Sequence, residues 1–310
     1  MKPVNIGGHP AYQKRVLEQL RKYYPDAVSS LSSSTWEILE KFYALDLSAV
    51  DEIMQDRYSV FGPAPRLPSD ILRSVMLSIE FKVTSITAWV ADMRENHLHA
   101  LLSGFNVGDT PGIGTFYDFF SRLWCSDKNN LTDAVHPPKE KPKKPKGKEE
   151  KAPPVEKVTV KELFEKLEQE PPTDMDACTR LFEIFSSLFL NRSAEMGLIN
   201  LKSLALAGDG TPVYTAAQER KKRTCNCLEN GIRDCKCNRI YRQPDCNIGW
   251  DSHRNRYYFG YDLYMLTASD SDNDLPVFPL LGPASRHDSH GFIYNWFSMK
   301  KFLPDVNVTK

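Results

Sequence analysis

No stretch of this 310-residue chain reaches the ~18–20 consecutive apolar residues of a membrane-spanning helix, and the nearest, LFEIFSSLFL (Leu181–Leu190), falls well short. The opening residues, MKPVNIGGHP, lack the apolar core of a secretory leader. An excess of one charge is missing too: 40 basic and 40 acidic side chains cancel to a formal net charge of zero. Overall charge therefore does not advertise a nucleic-acid partner, and any such attraction must come from local patches. Cysteine is sparse at seven residues. In the soluble, cytoplasmic setting these absences imply, the thiols read as free or metal-bound before disulfide-bonded. No internal repeat is evident.

What is present is helical pattern first. Tyr12, Val16, Leu20 and Tyr23 recur at helical spacing, as do Trp36, Leu39 and Phe42. After the proline-punctuated FGPAPRLPSD, Ser69 is placed to cap a helix with Ile71, Leu72, Val75 and Ile79 as its apolar stripe. Ser85 is placed to cap the next, with Ile86, Trp89, Val90 and Met93 inward, and a third follows Thr115 with Phe116, Phe119, Phe120 and Leu123. The spacing predicts a helical domain over residues 1–135. Residues 136–157, HPPKEKPKKPKGKEEKAPPVEK, have almost nothing to bury and read as an extended Lys/Pro/Glu linker. Connecting helices are expected over 158–200. TVKE at Thr159–Glu162 has the form of a capping box, and a helix over Asp176–Asn200 would use Leu181, Phe185, Leu188 and Phe189 as its core face.

From residue 201 to 310 the pattern changes to strands. LKSLALAGDG (Leu201–Gly210) is one, ending at Asp209 between two glycines. YYFGYDLYMLTAS (Tyr257–Ser269), apolar at nearly every position, reads as buried on both faces, and LPVFPLLGPAS (Leu275–Ser285) as a third strand at an end or edge. A helix over His287–Leu303 follows, then VNVTK opens a fourth strand.

Two constellations carry chemistry. An acid at a strand end must be paired or solvated, and Asp209 reads either as a metal ligand or as a turn aspartate. Among other acids, Asp288 reads as a helix N-cap, Asp262 as salt-bridged or at an edge, and Asp251 as loop chemistry. The second constellation is TCNCLENGIRDCKC (Thr224–Cys237), inside an insertion spanning 218–248. A three-residue turn at Asn230–Ile232 would set Cys225 opposite Cys237 and Cys227 opposite Cys235, with all four sulfurs on one face. That arrangement suits a Cys₄ zinc site; four unliganded thiols are the alternative. Cys125 and Cys178 read as buried packing. Lys221, Lys222, Arg223 and Arg239 in the same insertion are candidates for DNA phosphate contact, or else ends of a solvated loop. In the helical domain, the helix from Ser85 to His97 reads as a candidate recognition helix of mixed charge.

A strand bearing Asp, two further strands, a helix and a fourth strand is the opening of an RNase H-like mixed sheet. GDGTPV (Gly208–Val213), GWDSHRNRYYFGYDLYML (Gly249–Leu266) and PASRHDSHGF (Pro283–Phe292) together resemble the DDE transposases of bacterial insertion sequences. PSDILRSVMLSIEF (Pro68–Phe81) and TPGIGTFYDFFSRLW (Thr110–Trp124) resemble that family's helical N-terminal domain. The resemblance implies an α+β or α/β protein that binds the inverted-repeat ends of its element and cleaves and joins DNA with Mg²⁺. It also implies a homo-oligomer associated with the nucleoid. Asp209 matches the first catalytic carboxylate. The second Asp and the Glu have no counterpart before Lys310, so the expectation is a truncated enzyme, inactive by itself. Gly208 and Gly210 would let nucleic acid approach.

Overall fold

The computed structural model describes residues 2–4, 6–26, 30–127, 158–173, 175–216 and 221–309. The linker expected at 136–157 lies outside them. The chain divides into two compact units, Met1–Cys125 with Cys178–Arg192, and Ser126–Ala177 with Ser193–Lys310.

The first unit is helical: α1 (Gly8–Tyr23), α2 (Ser33–Ala44), α3 (Ala49–Ile53), α4 (Pro68–Glu80), α5 (Ile86–Glu95), α6 (His97–Ser103) and α7 (Ile113–Leu123). Its core holds Tyr12, Val16, Leu39, Phe42, Trp89, Met93, Leu101, Phe116 and Phe119. Ser85 caps α5 as expected, accepting the Ala88 N–H. The face of α4 departs from its apolar stripe. Ile79 is exposed, whereas Asp70, Arg73, Ser74 and Ser78 are buried beside Ile71 and Leu77. Polar matching explains this: Arg73 bonds Asp70 at 2.8 Å, Arg15 reaches the same carboxylate at 3.2 Å, and Trp89 Nε1 donates to Ser74 at 2.9 Å. Nor is Ser69 the cap of α4. Leu67 holds that position, and the buried carboxylate of Asp51 takes the Ser69 N–H at 2.8 Å.

In the second unit, α8 (Val160–Gln169) begins with the expected capping box, Thr159 and Glu162 each accepting the other's N–H. The helix foreseen over Asp176–Asn200 is interrupted, and its stretch Cys178–Arg192 belongs to the first unit. A 3₁₀ turn and α9 (Thr179–Phe185) lead through a π-turn, Ser186–Leu190, into α10 (Asn191–Glu195). The π-turn adds a residue and rotates the face, so Phe182, Ile184 and Leu190 are buried while Leu181 and Phe189 are exposed.

The strands are β1 (Leu206–Tyr214), β2 (Lys221–Arg223), β3 (Arg239–Tyr241), β4 (Asn247–Asp251), β5 (Arg256–Ala268) and β6 (Pro276–Pro283). In the main sheet β5 is central and every ladder is antiparallel: β1 lies along one side, while β4 and then β6 share the other. Beyond these, Leu204 and Val308 form a parallel bridge, with Leu204 N–H on Asn307 O and Thr309 N–H on Leu204 O, both at 2.9 Å. Between β6 and that bridge runs α11 (Asp288–Phe302). Its N-cap is His287, whose Nδ1 accepts the Ser289 N–H, so Asp288 occupies the first helical turn instead.

α11 covers one face of the sheet. Asn295, fully buried, donates to Tyr264 O at 2.9 Å and to Phe278 O at 3.4 Å, beside the bulge at Leu266/Thr267 where the β5–β6 ladder is irregular. α8 packs on the outer side of α11 through Leu163, Leu167 and Phe164 against Ile293 and Phe297. Strand β5 therefore alternates, with Tyr258, Asp262, Tyr264 and Leu266 buried beneath α11 and Phe259, Tyr261, Leu263 and Met265 half-exposed on the other face. The expectation of a strand buried on both faces is corrected: one face stays open. The architecture is thus a mixture of helices with an antiparallel sheet, of the α+β kind. Among the described residues no helix is long and apolar enough to cross a membrane.

Candidate metal centre and carboxylate site

The four clustered cysteines hang from a short ladder. β2 and β3 pair antiparallel, Arg223 opposite Arg239, and Thr224 Oγ1 ties the far end of the loop by donating to Asn238 O at 2.9 Å. Above that base there is no β-ladder. The Ile232 N–H donates to Cys227 O at 2.8 Å and the Gly231 N–H to Leu228 O at 3.1 Å, with Gly231 at φ 76°. This is the double closure that ends helices at a left-handed glycine, and it turns the chain in place of a hairpin turn. The cysteines pair differently in consequence: Cys225 Sγ lies 3.6 Å from Cys235 Sγ, and Cys227 Sγ 3.6 Å from Cys237 Sγ. The expected partners were the reverse.

The clustering of the four sulfurs survives the changed register. All four sulfurs lie within 4.8 Å of one another and all four residues are half-buried, while their neighbours Asn226, Leu228, Asp234 and Lys236 face solvent. Zinc–sulfur bonds near 2.3 Å place tetrahedral sulfurs about 3.8 Å apart, close to the two observed pairs. Four converging thiols can hold a metal ion such as zinc. Their protons reflect the crowding. The Cys225 thiol is drawn down to about 7, chiefly by the Cys227 backbone N–H, and Cys227 is pushed up to about 12, chiefly by its bond with Cys225.

Of the basic candidates, Lys222 is exposed and Arg239 is half-buried with an Nε that no acceptor reaches. Arg223 turns inward, its guanidinium donating to the carbonyls of Ile232 and Arg233. Lys221 contributes its backbone to β2, and Arg220 lies outside the described residues. The exposed surface of α5 is partly occupied: Asp92 bonds His99, and Asn96 caps α6.

Asp209 does not end its strand. β1 begins later than expected, at Leu206, and runs on to Tyr214, which puts Asp209 mid-strand opposite Met265 on the open face. Its carboxylate is exposed, and its Oδ1 accepts the Gly210 N–H at 2.9 Å. The flanking glycines serve the other face. A Cβ at Gly208 would stand 2.6 Å from the Tyr264 ring, and one at Gly210 2.8 Å from Asp262 Oδ1. They make room for side chains of β5, not for an incoming ligand.

Asp262 had no clear sign in the sequence except its place in the alternation Tyr258, Gly260, Asp262, Tyr264, Leu266. It sits on the central strand, 7% exposed, with no hydrogen bond or ion pair from the described residues, which removes both the salt bridge and the edge position expected for it. Burial raises its pKa to about 6, helped by the charges of Asp288 and Asp209 and opposed by Arg286. Asp251 is more than loop chemistry: its buried carboxylate accepts from Tyr214 Oη at 2.6 Å and from Arg254 at 2.9 and 3.1 Å, which holds it down to about 2. Cys125 proves exposed, since it follows the last turn of α7, while Cys178 is buried as expected.

Among the described residues the four cysteines are the one group of His, Cys, Asp or Glu close enough to grip an ion. Asp209 belongs to no group of three or more such residues among the described ones, so its surroundings do not fit a pair of magnesium ions. No protein-family model, curated protein or solved structure matches the chain.

Proposed function

We propose that this chain is a transposase-type DNA-binding protein, with a zinc-tied cysteine loop and the opening half of an RNase H-like sheet in its second unit. The observation that carries the reading is the order of elements around Asp209. An antiparallel run of β1, β5 and β6 is followed by α11 and then by a return at Val308 parallel to Leu204, just before β1. In the resembling enzymes this order places the first catalytic aspartate where Asp209 stands. Those enzymes use two magnesium ions at that position. A single carboxylate cannot hold two such ions, so these residues alone are expected to bind Mg²⁺ weakly and to cut DNA slowly or not at all. Zinc, held by Cys225, Cys227, Cys235 and Cys237, would close the insertion and present the exposed Lys222, Arg233, Lys236 and Arg242 to phosphates.

The test is binding of purified protein to duplexes carrying the terminal repeats that flank its gene, against scrambled duplexes, with and without Mg²⁺. Repeat-specific binding supports the reading, and equal affinity for both duplexes refutes it. That Asp209 joins no group of three or more acids among the described residues favours a variant of the same idea, a non-catalytic DNA-binding protein or repressor. Mg²⁺-dependent nicking that is lost in Asp209→Asn separates the enzyme from the repressor.

A further inference from the structure

The first turns of α1 and α4 enclose a cavity of about 270 Å³ that lies wholly within the helical unit. Gly8, His9, Arg15, Ser69, Asp70 and Arg73 line its polar side. Ala11, Tyr12 and Leu67 give it apolar walls, and the exposed Val4 and Ile6 stand at its edge. At ~30 Å³ for a water-sized group, it has room for about nine of them.

The charges lining the cavity do not balance. Two guanidinium groups share one carboxylate: Arg73 Nη1 donates to Asp70 Oδ1 at 2.8 Å, and Arg15 Nη2 to Asp70 Oδ2 at 3.2 Å. One positive charge is left over. The next acids, Asp46 and Asp51, do not line the cavity, and their carboxylates are turned to Ser48 and Ser69. Donors are left over as well. Arg73 is 2% exposed, yet its Nε meets no acceptor among the described residues, and neither does the Nε of Arg15. A buried donor without a partner is costly, and here two of them border one cavity. Arg73 is also held in place: its guanidinium lies 3.7 Å over the Tyr12 ring, whose Oη donates to Leu102 O at 2.9 Å. The start of α1 adds to the positive potential. Gly7 caps it without a side-chain acceptor, no acid stands in its first turn, and Gly8 and His9 of that turn face the cavity.

We infer that this cavity binds a small organic carboxylate. The anionic head sits against Arg73, Arg15 and the start of α1, and an apolar tail lies along Ala11, Tyr12 and Leu67. A planar carboxylate matches the planar guanidinium fork. One unmatched positive charge suits a monoanion better than a phosphate dianion, and the apolar walls leave space for a tail of about five carbons. The site belongs to the first unit and does not depend on the DNA-binding reading.

The experiment titrates hexanoate into the full chain at pH 7.5 and follows binding by saturation-transfer NMR. Hexanol, acetate and inorganic phosphate are run beside it, and the series is repeated with Arg15→Gln and Ala11→Leu. Hexanoate is expected to saturate the parent with a Kd of about 1 mM or tighter, a range open to a ligand of about eight non-hydrogen atoms. Hexanol, the same tail without the charge, should bind at least about tenfold more weakly. Losing a charged donor in Arg15→Gln should weaken hexanoate about tenfold. Ala11→Leu fills the cavity, leaves every ion pair in place and should abolish binding. The melting temperature of each unliganded variant reports that it is folded; if Arg15→Gln melts early, Ala11→Leu carries the test. No hexanoate binding to the parent, or equal affinity in the parent and in Ala11→Leu, overturns the assignment. Hexanol binding as tightly as hexanoate overturns it too, because the arginines would then play no part. Inorganic phosphate displacing hexanoate at a lower concentration than acetate does would overturn the carboxylate and give the cavity to phosphate.

Discussion

Removing one sulfur from the cysteine loop tests how that loop is held. Between the ends of β2 and β3, residues 224–238 have little else to fix them: Leu228 and Ile232 are exposed, and the ladder beneath is three residues a side. Cys235→Ser takes away the partner 3.6 Å from Cys225 and leaves three thiolates for a tetrahedral ion. The parent is expected to carry one zinc per chain and the variant to lose it to a chelator that leaves the parent loaded. Proton release gives a second magnitude. Cys225 near 7 is half-ionised at neutral pH and Cys227 near 12 is protonated, so zinc uptake must displace protons. Affinity should rise about tenfold per pH unit for each proton displaced, upward from pH 6 to 8. Zinc release with a metallochromic dye gives stoichiometry and pH slope, and trypsin reports loop order at Arg233 and Lys236. No zinc in the parent, with four freely titratable thiols, would refute the reasoning; so would a pH slope near zero.

Four further outcomes follow from the geometry. Asp262 binds its proton more tightly folded than unfolded, so its contribution to stability is greatest at low pH and falls as pH rises from about 4 through about 6. Asp262→Asn should therefore raise the melting temperature by a few degrees at pH 7.5 and leave it unchanged at pH 4. Arg73 is 2% exposed against Asp70, and Arg73→Met leaves that buried carboxylate to the half-exposed Arg15 at a cost of about 3–5 kcal/mol; adding Asp70→Leu should recover most of the loss in urea unfolding. Gly208→Ala drives a methyl into the Tyr264 ring and should cost about 1–3 kcal/mol, with Tyr264→Leu restoring stability in the double variant. Hydrogen peroxide acting on metal-free protein should convert two thiol pairs to disulfides and itself to water. Peptide mapping is expected to find Cys225–Cys235 and Cys227–Cys237, the pairs in contact.

The helices announced themselves where a single apolar stripe met one core, as in α1 with Tyr12, Val16 and Leu20, and where a cap was local, as at Ser85 and Thr159. α4 did not, because its buried side is a matched set of Asp70, Arg73 and Ser74 whose partners Arg15 and Trp89 come from other helices. No single-segment pattern can register a charge that is solvated by a distant residue. The strands were visible from their aromatic and β-branched runs, yet the open face of β5 was not, since half-exposed Tyr261, Leu263 and Met265 look the same in sequence as buried ones. At the cysteine loop the spacing conveyed the clustering of four sulfurs but not which pairs touch. That detail depends on Gly231 closing a helical end where a β-turn was foreseen.

The tie across the insertion also bears on how quickly the sheet can assemble. β1 must find β5 across residues 215–255, and the stretch 215–246 before β4 is roughly halved when 224–238 is closed off by metal. Halving a loop lowers its closure cost by only about 0.6 kcal/mol. Refolding after chelation should therefore slow by no more than about threefold, so the ion governs the shape of the insertion far more than the kinetics of the chain that carries it.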